Sequence, residues 1–215
     1  MESLSLRKIK QYLPYSYLNI FKSLVDKDGV TVLDVGTGDG YLINYINSKR
    51  NYSVTGIEPF KPFLKQARET GAYKKILQGR AQKLRYPKNS FDIVISSQVL
   101  EYLTKTEGIS FMKKAKDIAR NQVIIAAYIG DCKHKRAQEN PYQTSHSEWY
   151  PEDLEILGFK VYGQGLKLVY KENGYRPKNI GLAFVLPMLL SYLMSPVVYY
   201  LPRYATHMIG VINKK

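Results

Sequence analysis

A doubly wound, mostly parallel α/β sheet is the architecture this sequence predicts, and three observations predict it. Five short apolar, β-branched runs recur between residues 30 and 130, with helical patterns between most of them. The runs are continuous rather than alternating, as strands covered on both faces must be. The first run, VTVLDV, empties into a glycine-rich turn, GTGDG, that opens a helical stretch.

The elements follow in order. Residues 4–26 carry Leu6, Ile9, Leu13, Leu18, Phe21 and Leu24 at rough helical spacing, with Pro14 as a break, so residues 1–28 form an N-terminal helical segment. VTVLDV (30–35), YSVTGIE (52–58), KKILQ (74–78), FDIVIS (91–96) and QVIIAAYI (122–129) are strands. Residues 41–49, 60–70 and 105–119 are helices, the last with Phe111, Met112, Ala115, Ile118 and Ala119 inward. Residues 130–150 are a polar loop, placed where doubly wound enzymes carry substrate residues; it holds His134 and His146. PEDLEILG (151–158) is a short helix, with proline at its start and glycine at its end. Residues 159–170 are extended, and 203–215, with His207, form a closing strand. No repeat or low-complexity linker divides the chain, so a single domain over 1–215 is expected.

Composition narrows the function. The 215 residues hold 45% hydrophobic and 23% charged side chains, a globular balance. The lone cysteine, Cys132, rules out an internal disulfide framework, and no Cys/His cluster suggests a metal. MESLSLRKIKQYL lacks the apolar centre of a signal peptide, which points to the cytosol or a membrane face turned toward it. The net charge of +14 favours an anionic partner, and from Lys61 to Lys88 nine basic residues face one acid, Glu69. No zinc knuckle or basic–aromatic RNA signature accompanies them, so nucleic acid is not the favoured partner.

The glycine turn carries the chemistry. A dinucleotide site wants G-x-G-x-x-G/A; here the third position falls on Tyr41, too bulky for close helix–strand packing. Asp34 also sets a negative charge where a pyrophosphate would lie. No GxxxxGK[ST] is present. A nucleoside ligand without phosphates fits better: the bare backbone admits a sulfonium-bearing chain, Asp34 receives an ammonium group, and Glu58 at the end of the second strand accepts two ribose hydroxyls.

With VLDVGTGDGY, GIEPF and QGRAQKLRYPKNSFDIVISSQVLEYL on the page, the chain resembles the class I S-adenosylmethionine-dependent methyltransferases, in particular the type 11 group, over residues 30 to about 130. The resemblance implies a seven-stranded Rossmann-like sheet and S-adenosylmethionine as cofactor. It implies that Gly36, Thr37, Gly38 and Gly40 line the methionine part, with Asp34 beneath. Glu58 holds the ribose, Pro59 and Phe60 flank adenine, Ala81 and Gln82 meet its edge, and Gln98 faces the reactive centre. Two positions depart. Arg80 stands where the family carries an adenine-accepting aspartate, and arginine accepts no hydrogen bond; Gln82 oxygen is the substitute. Tyr102 stands where a histidine is frequent.

His146 is the candidate proton-handling residue for the acceptor. The expected activity is in-line methyl transfer to a small acceptor, lipophilic or membrane-associated. Protein or RNA methylation and a non-catalytic cofactor-binding role are the alternatives. The charge-free stretch 179–202 has the length of a membrane span, but Pro187 and Pro196 interrupt it and tyrosines stud it. Two short apolar helices before the closing strand are expected there, as a lipid-facing lid, as core or as a dimer surface.

Overall fold

The computed structural model of the chain describes residues 13–25, 30–48, 50–131, 140–167 and 189–214. The parts of the 1–28, 130–150 and 179–202 segments outside those ranges, His134 among them, lie outside the described residues.

Seven strands form one sheet: β1 (Thr31–Val35), β2 (Ser53–Glu58), β3 (Lys75–Gln78), β4 (Phe91–Ser97), β5 (Ala119–Tyr128), β6 (Lys160–Leu166) and β7 (Ala205–Asn213). Their order is β3-β2-β1-β4-β5-β7-β6. The first five are parallel, and β7 lies antiparallel between β5 and β6. The helices are α1 (Tyr17–Leu24), α2 (Tyr41–Asn47), α3 (Lys61–Glu69), α4 (Lys105–Ile118), α5 (Pro151–Glu155) and α6 (Ser195–Tyr200).

The continuous apolar runs are explained by burial on both faces. Along β1, β4 and β5, Leu33, Val94, Val123 and Ile125 face one core with Phe111, Met112 and Trp149. Their neighbours Val32, Ile93, Ile95 and Ile124 face the other, with Ile20, Phe21 and Ile43. Successive side chains on a strand point to opposite faces, so one run feeds two cores.

Local signals set the helix ends. Ser16 caps α1, accepting from Asn19 N–H at 3.4 Å, which places the start just past Pro14. Thr104 and Glu107 form a reciprocal capping box at α4. β5 begins at Ala119, three residues earlier than its apolar run, because α4 passes into it without a loop. The charged start is paid for locally: Arg120 pairs with Asp92.

The described part of the charge-free stretch is two short helical pieces, over 189–193 and α6, as expected. They pack along β6 at the sheet edge, with Val198 buried and Tyr199 stacked on Tyr162 at 4.5 Å. Leu189, Leu190, Leu193, Val197 and Tyr200 stay exposed. Among the described residues no helix is long and apolar enough to cross a membrane.

Candidate functional site

Strand order reverses between β1 and β4, and there the loops leaving their carboxyl ends diverge. The crevice so formed is a cavity of about 1000 Å³. Asp34, Gly36, Thr37, Gly38, Glu58, Pro59, Ala81, Gln82, Gln98 and His146 all line it, so the structure gathers residues spread over more than a hundred positions. Gly40 stands one step back as the N-cap of α2, at φ 81°.

The turn after β1 requires its glycines. Gly36 sits at φ 80° and Gly40 at φ 81°, where other residues are strained. A Cβ on Gly40 would lie 3.0 Å from the Ala67 backbone and 3.1 Å from the Tyr73 ring. Gly36 and Thr37 N–H donate to the Ile57 carbonyl at 2.8 and 3.2 Å, tying the turn to β2. The Thr37 hydroxyl donates to the Gly38 carbonyl, so this residue shapes the turn as well as facing the cavity.

Glu58 is buried, and each of its oxygens is held by one backbone donor. Gly38 N–H reaches Oε2 at 3.1 Å and Phe60 N–H reaches Oε1 at 2.9 Å. A carboxylate oxygen accepts two bonds, so one acceptor position per oxygen is left. Burial pushes its pKa up, and the two N–H bonds oppose that.

Asp34 lies deeper, 3% exposed, with Oδ2 accepting from the Tyr73 hydroxyl at 2.7 Å. Burial lifts its pKa to about 7; the Tyr73 bond opposes the rise and the Glu58 charge adds to it. A carboxylate so poised near neutrality favours a cation beside it. Sequence reasoning missed Tyr73, which is 39 residues from Asp34 and sits in a loop.

Gln98 turns the chain sharply after β4, at φ 55°, with its N–H donating to the Ala126 carbonyl at 2.8 Å. A positive φ outside glycine costs energy, and the residue that bears it lines the crevice. Beside it Tyr17 and Ser97 hydroxyls meet at 2.7 Å, and burial pushes the Tyr17 phenol well up. Behind this wall Glu101 is 1% exposed, and among the described residues neither carboxylate oxygen has a well-formed hydrogen bond; burial lifts it to about 7, with the backbone N–H groups of Glu101 and Tyr128 opposing the rise.

The rim is built by α4 and the 140–146 segment. Gln82 Nε2 donates to Glu107 at 3.3 Å, which turns the amide oxygen away from that contact. The Arg80 guanidinium lies 4.8 Å from the Tyr142 ring centre. His146 is exposed at the mouth, fixed through its backbone N–H to the Glu101 carbonyl at 2.8 Å. His207, in contrast, is half-buried in β7, 4.2 Å from the Tyr128 ring, and desolvation of its imidazole lowers its pKa to about 4.

One expectation is corrected. Phe60 does not line the cavity; its ring turns onto Phe63 at 5.3 Å, and Phe63, carried inward by α3, takes its place beside Pro59. None of residues 189–204, which include the described part of the charge-free stretch, lines the cavity.

These features suit a nucleoside carrying a cationic tail. Glu58 offers two acceptor positions for a diol, Asp34 answers a positive charge, and Pro59, Phe63 and Ala81 give apolar flanks. Among the described residues no group of three or more metal-ligating side chains gathers anywhere.

Comparison with known proteins agrees with this geometry. Residues 33–127 match the family model described as a methyltransferase domain. An uncharacterized methyltransferase of Anoxybacillus flavithermus is 32% identical over 104 residues, 48% of this chain and 49% of that one. The match thus spans about half the length of that relative. A Haloferax volcanii methyltransferase, solved in complex with the Trm112 methyltransferase activator, superposes with a TM-score of 0.60 at 14% identity, covering 96% of this chain and 90% of that one. A magnesium protoporphyrin IX methyltransferase from Synechocystis PCC 6803, solved with bound S-adenosylmethionine, superposes at 0.54 and 14%, covering 98% and 78%. At such identities the likeness to the solved structures is one of fold.

Proposed function

We propose, from a chain whose residues 33–127 form a methyltransferase domain of the class I S-adenosylmethionine-dependent family, that this protein moves a methyl group from S-adenosylmethionine to a small acceptor. The observation that carries the reading is the pair of buried carboxylates, Glu58 and Asp34, flanking one glycine turn in one cavity. One suits a diol and the other a cation, and the cofactor carries both.

The residues then take defined roles. Glu58 accepts the two ribose hydroxyls through its two spare acceptor positions. Pro59, Phe63 and Ala81 flank the adenine, and Gln82 oxygen accepts at its edge. Gly36, Thr37, Gly38 and Gly40 let the backbone approach the methionine part, and Asp34 takes its ammonium. Bound there, the cofactor supplies an electrophilic methyl on a sulfonium. Gln98, Tyr17 and Ser97 fix the approach line of the acceptor, and alignment supplies much of the rate. His146, at the mouth, takes the proton of an acceptor that must lose one.

The acceptor is small and lipophilic in this reading, met at a cytosolic membrane face. The exposed apolar side chains of 189–201 support it, and so does the basic surface, which anionic lipid attracts. A second reading takes the same apolar surface as a docking face for a protein partner, favoured by the fold shared with the Trm112-bound methyltransferase. We read the whole chain as one domain around this site.

Calorimetric titration with S-adenosylmethionine and S-adenosylhomocysteine, with NAD as control, tests the reading. Micromolar binding of the first two is expected. Glu58→Gln should weaken it about a hundredfold or more, since two hydrogen bonds to a charged group are lost. NAD binding equal to theirs, or an unaffected Glu58→Gln protein, refutes it. Labelled-methyl transfer to membrane extracts then tests the acceptor: label on lipid supports the lipophilic reading, and label on protein or RNA alone refutes it.

A further inference from the structure

Beside the cofactor cavity lies a second groove of about 690 Å³. Its described lining carries three cations, Arg80, Lys83 and Arg85, and no carboxylate. Its floor is neutral and partly apolar, with Leu77, Gln78 and Tyr86. The two spaces share a wall: Ile57, Gly79 and Arg80 line both.

The three cations differ from Lys105, Lys116 and Arg120, whose heads are answered. Lys105 bonds Asp153 at 2.6 Å, Arg120 pairs with Asp92, and Lys116 bonds the Leu157 carbonyl at 3.0 Å. Arg80, Lys83 and Arg85 have no hydrogen-bond or ion-pair partner for their charged heads among the described residues. Among the described residues Arg80 meets the face of Tyr142, a contact that leaves its N–H fork open to an acceptor. Position 80 is also where the resemblance leads one to expect a hydrogen-bond acceptor; this chain has a donor fork instead.

Electrostatics makes the arrangement unfavourable as it stands. Three like charges share one groove, and a cationic cofactor next door adds to the same field. An anion in the groove would offset all four.

We infer that this groove is an oxyanion subsite: the acceptor carries a phosphate or carboxylate, held by Arg80, Lys83 and Arg85, while its methyl-accepting end enters the shared cavity. The inference deepens the methyltransferase reading and rests on it for the word acceptor; the anion site itself does not need it. Because Arg80 borders both spaces, anion and cofactor bind cooperatively, each raising the affinity of the other by the same factor.

The test is calorimetric, on the full chain at low salt, with four probes: inorganic pyrophosphate, citrate, S-adenosylmethionine and a short single-stranded RNA. Pyrophosphate or citrate should bind, and whichever binds tighter assigns a phosphoryl or a carboxylate acceptor. Lys83→Gln/Arg85→Gln should weaken that binding about tenfold, from the loss of two point charges. S-adenosylmethionine should bind the double variant at least as well as wild type without the anion, since two repelling charges are gone, which also reports that it is folded. In the wild type the anion should tighten S-adenosylmethionine severalfold, and Arg80→Gln should abolish that coupling.

If neither small anion binds, or binds the double variant equally, the subsite is refuted. RNA that binds wild type and double variant alike, with a steep salt dependence, assigns the charge to a general basic surface and also refutes it. If the anion binds without affecting S-adenosylmethionine, the link to the acceptor is refuted. If S-adenosylmethionine itself fails to bind, the methyltransferase reading falls, while the anion result still stands or falls by the double variant.

Discussion

Cofactor affinity should depend on the protonation of Asp34, and the structure sets where. The free protein holds this carboxyl at about 7 against an ordinary 3.8, because it is buried. Below pH 7 a proton occupies the site that a bound ammonium needs, so binding must expel it. Affinity for S-adenosylmethionine should therefore fall up to tenfold per pH unit below about 7 and level off above it. Free-protein stability has the opposite sign: the native state binds the extra proton between 3.8 and about 7, so this group favours folding as pH falls through that window. Tyr73 tunes the break. Its hydroxyl donates to ionised Asp34 at 2.7 Å, and a hydrogen bond to a charged group contributes about 1.5–3 kcal/mol. Tyr73→Phe keeps the ring against Gly40 and Gly56 but loses that bond, so the break should move up by about one to two pH units. Asp34→Asn should bind weakly and without a pH break. Titration calorimetry from pH 5.5 to 9, in buffers of different ionisation enthalpy, reads both the affinity and the proton released per ligand. Wild-type affinity that stays flat between pH 5.5 and 7.5, with no proton released, would refute the reasoning. So would a Tyr73→Phe profile that coincides with wild type.

Two further predictions concern stability. Gly108 on α4 faces the Trp149 indole so closely that a methyl group has no room, and that indole is pinned by Nε1–H bonds to the Leu100 carbonyl at 2.9 Å and Ser147 Oγ at 2.7 Å. Alanine in place of a helical glycine ordinarily gains about 1 kcal/mol, but overpacking costs about 1–3 kcal/mol, so Gly108→Ala should lower Tm; an unchanged or raised Tm contradicts the packing. Glu101, lifted to about 7 by burial that nearby backbone N–H groups only partly offset, should destabilise the fold when ionised, so Glu101→Gln should raise Tm at pH 8 relative to wild type more than at pH 5. The difference between the two pH values cancels the cost of burying the amide; equal shifts at both would contradict a buried carboxyl that ionises at a cost.

How much of this could be read beforehand follows from where the information lies along the chain. Continuous apolar runs marked β1, β2, β4 and β5 because both faces of a central parallel strand are buried, and no other demand blurs that signal. The glycine turn, Asp34 and Glu58 were legible because a turn, a strand end and a ligand all constrain residues close in sequence. Phe60 misled for the same reason: adjacency to Glu58 suggested it, whereas the start of α3 at Lys61 rotates Phe63 inward instead. Tyr73 and the Arg80–Tyr142 contact were illegible since each joins segments far apart, and no local pattern records such a partner. The early start of β5 was hidden by Arg120, whose charge reads as loop until Asp92 across the sheet is seen to answer it. Glu101 sat within a quoted motif, yet only the fold reveals that its carboxyl is almost fully buried.

The segment from Gly130 to Trp149 is closed at its base. Gly130 N–H donates to the Trp149 carbonyl at 2.9 Å, and the Trp149 ring is locked into the main core. The last residues of the segment are tied in as well: His146 N–H donates to the Glu101 carbonyl at 2.8 Å and the Ser147 hydroxyl to the Leu103 carbonyl at 2.7 Å. Length changes that leave this clasp and Ser147 in place cost the framework little, because loop entropy grows slowly with length. An exchange of the segment between relatives must therefore keep Ser147 and Trp149, since the same two residues close the loop and anchor the core behind the cavity.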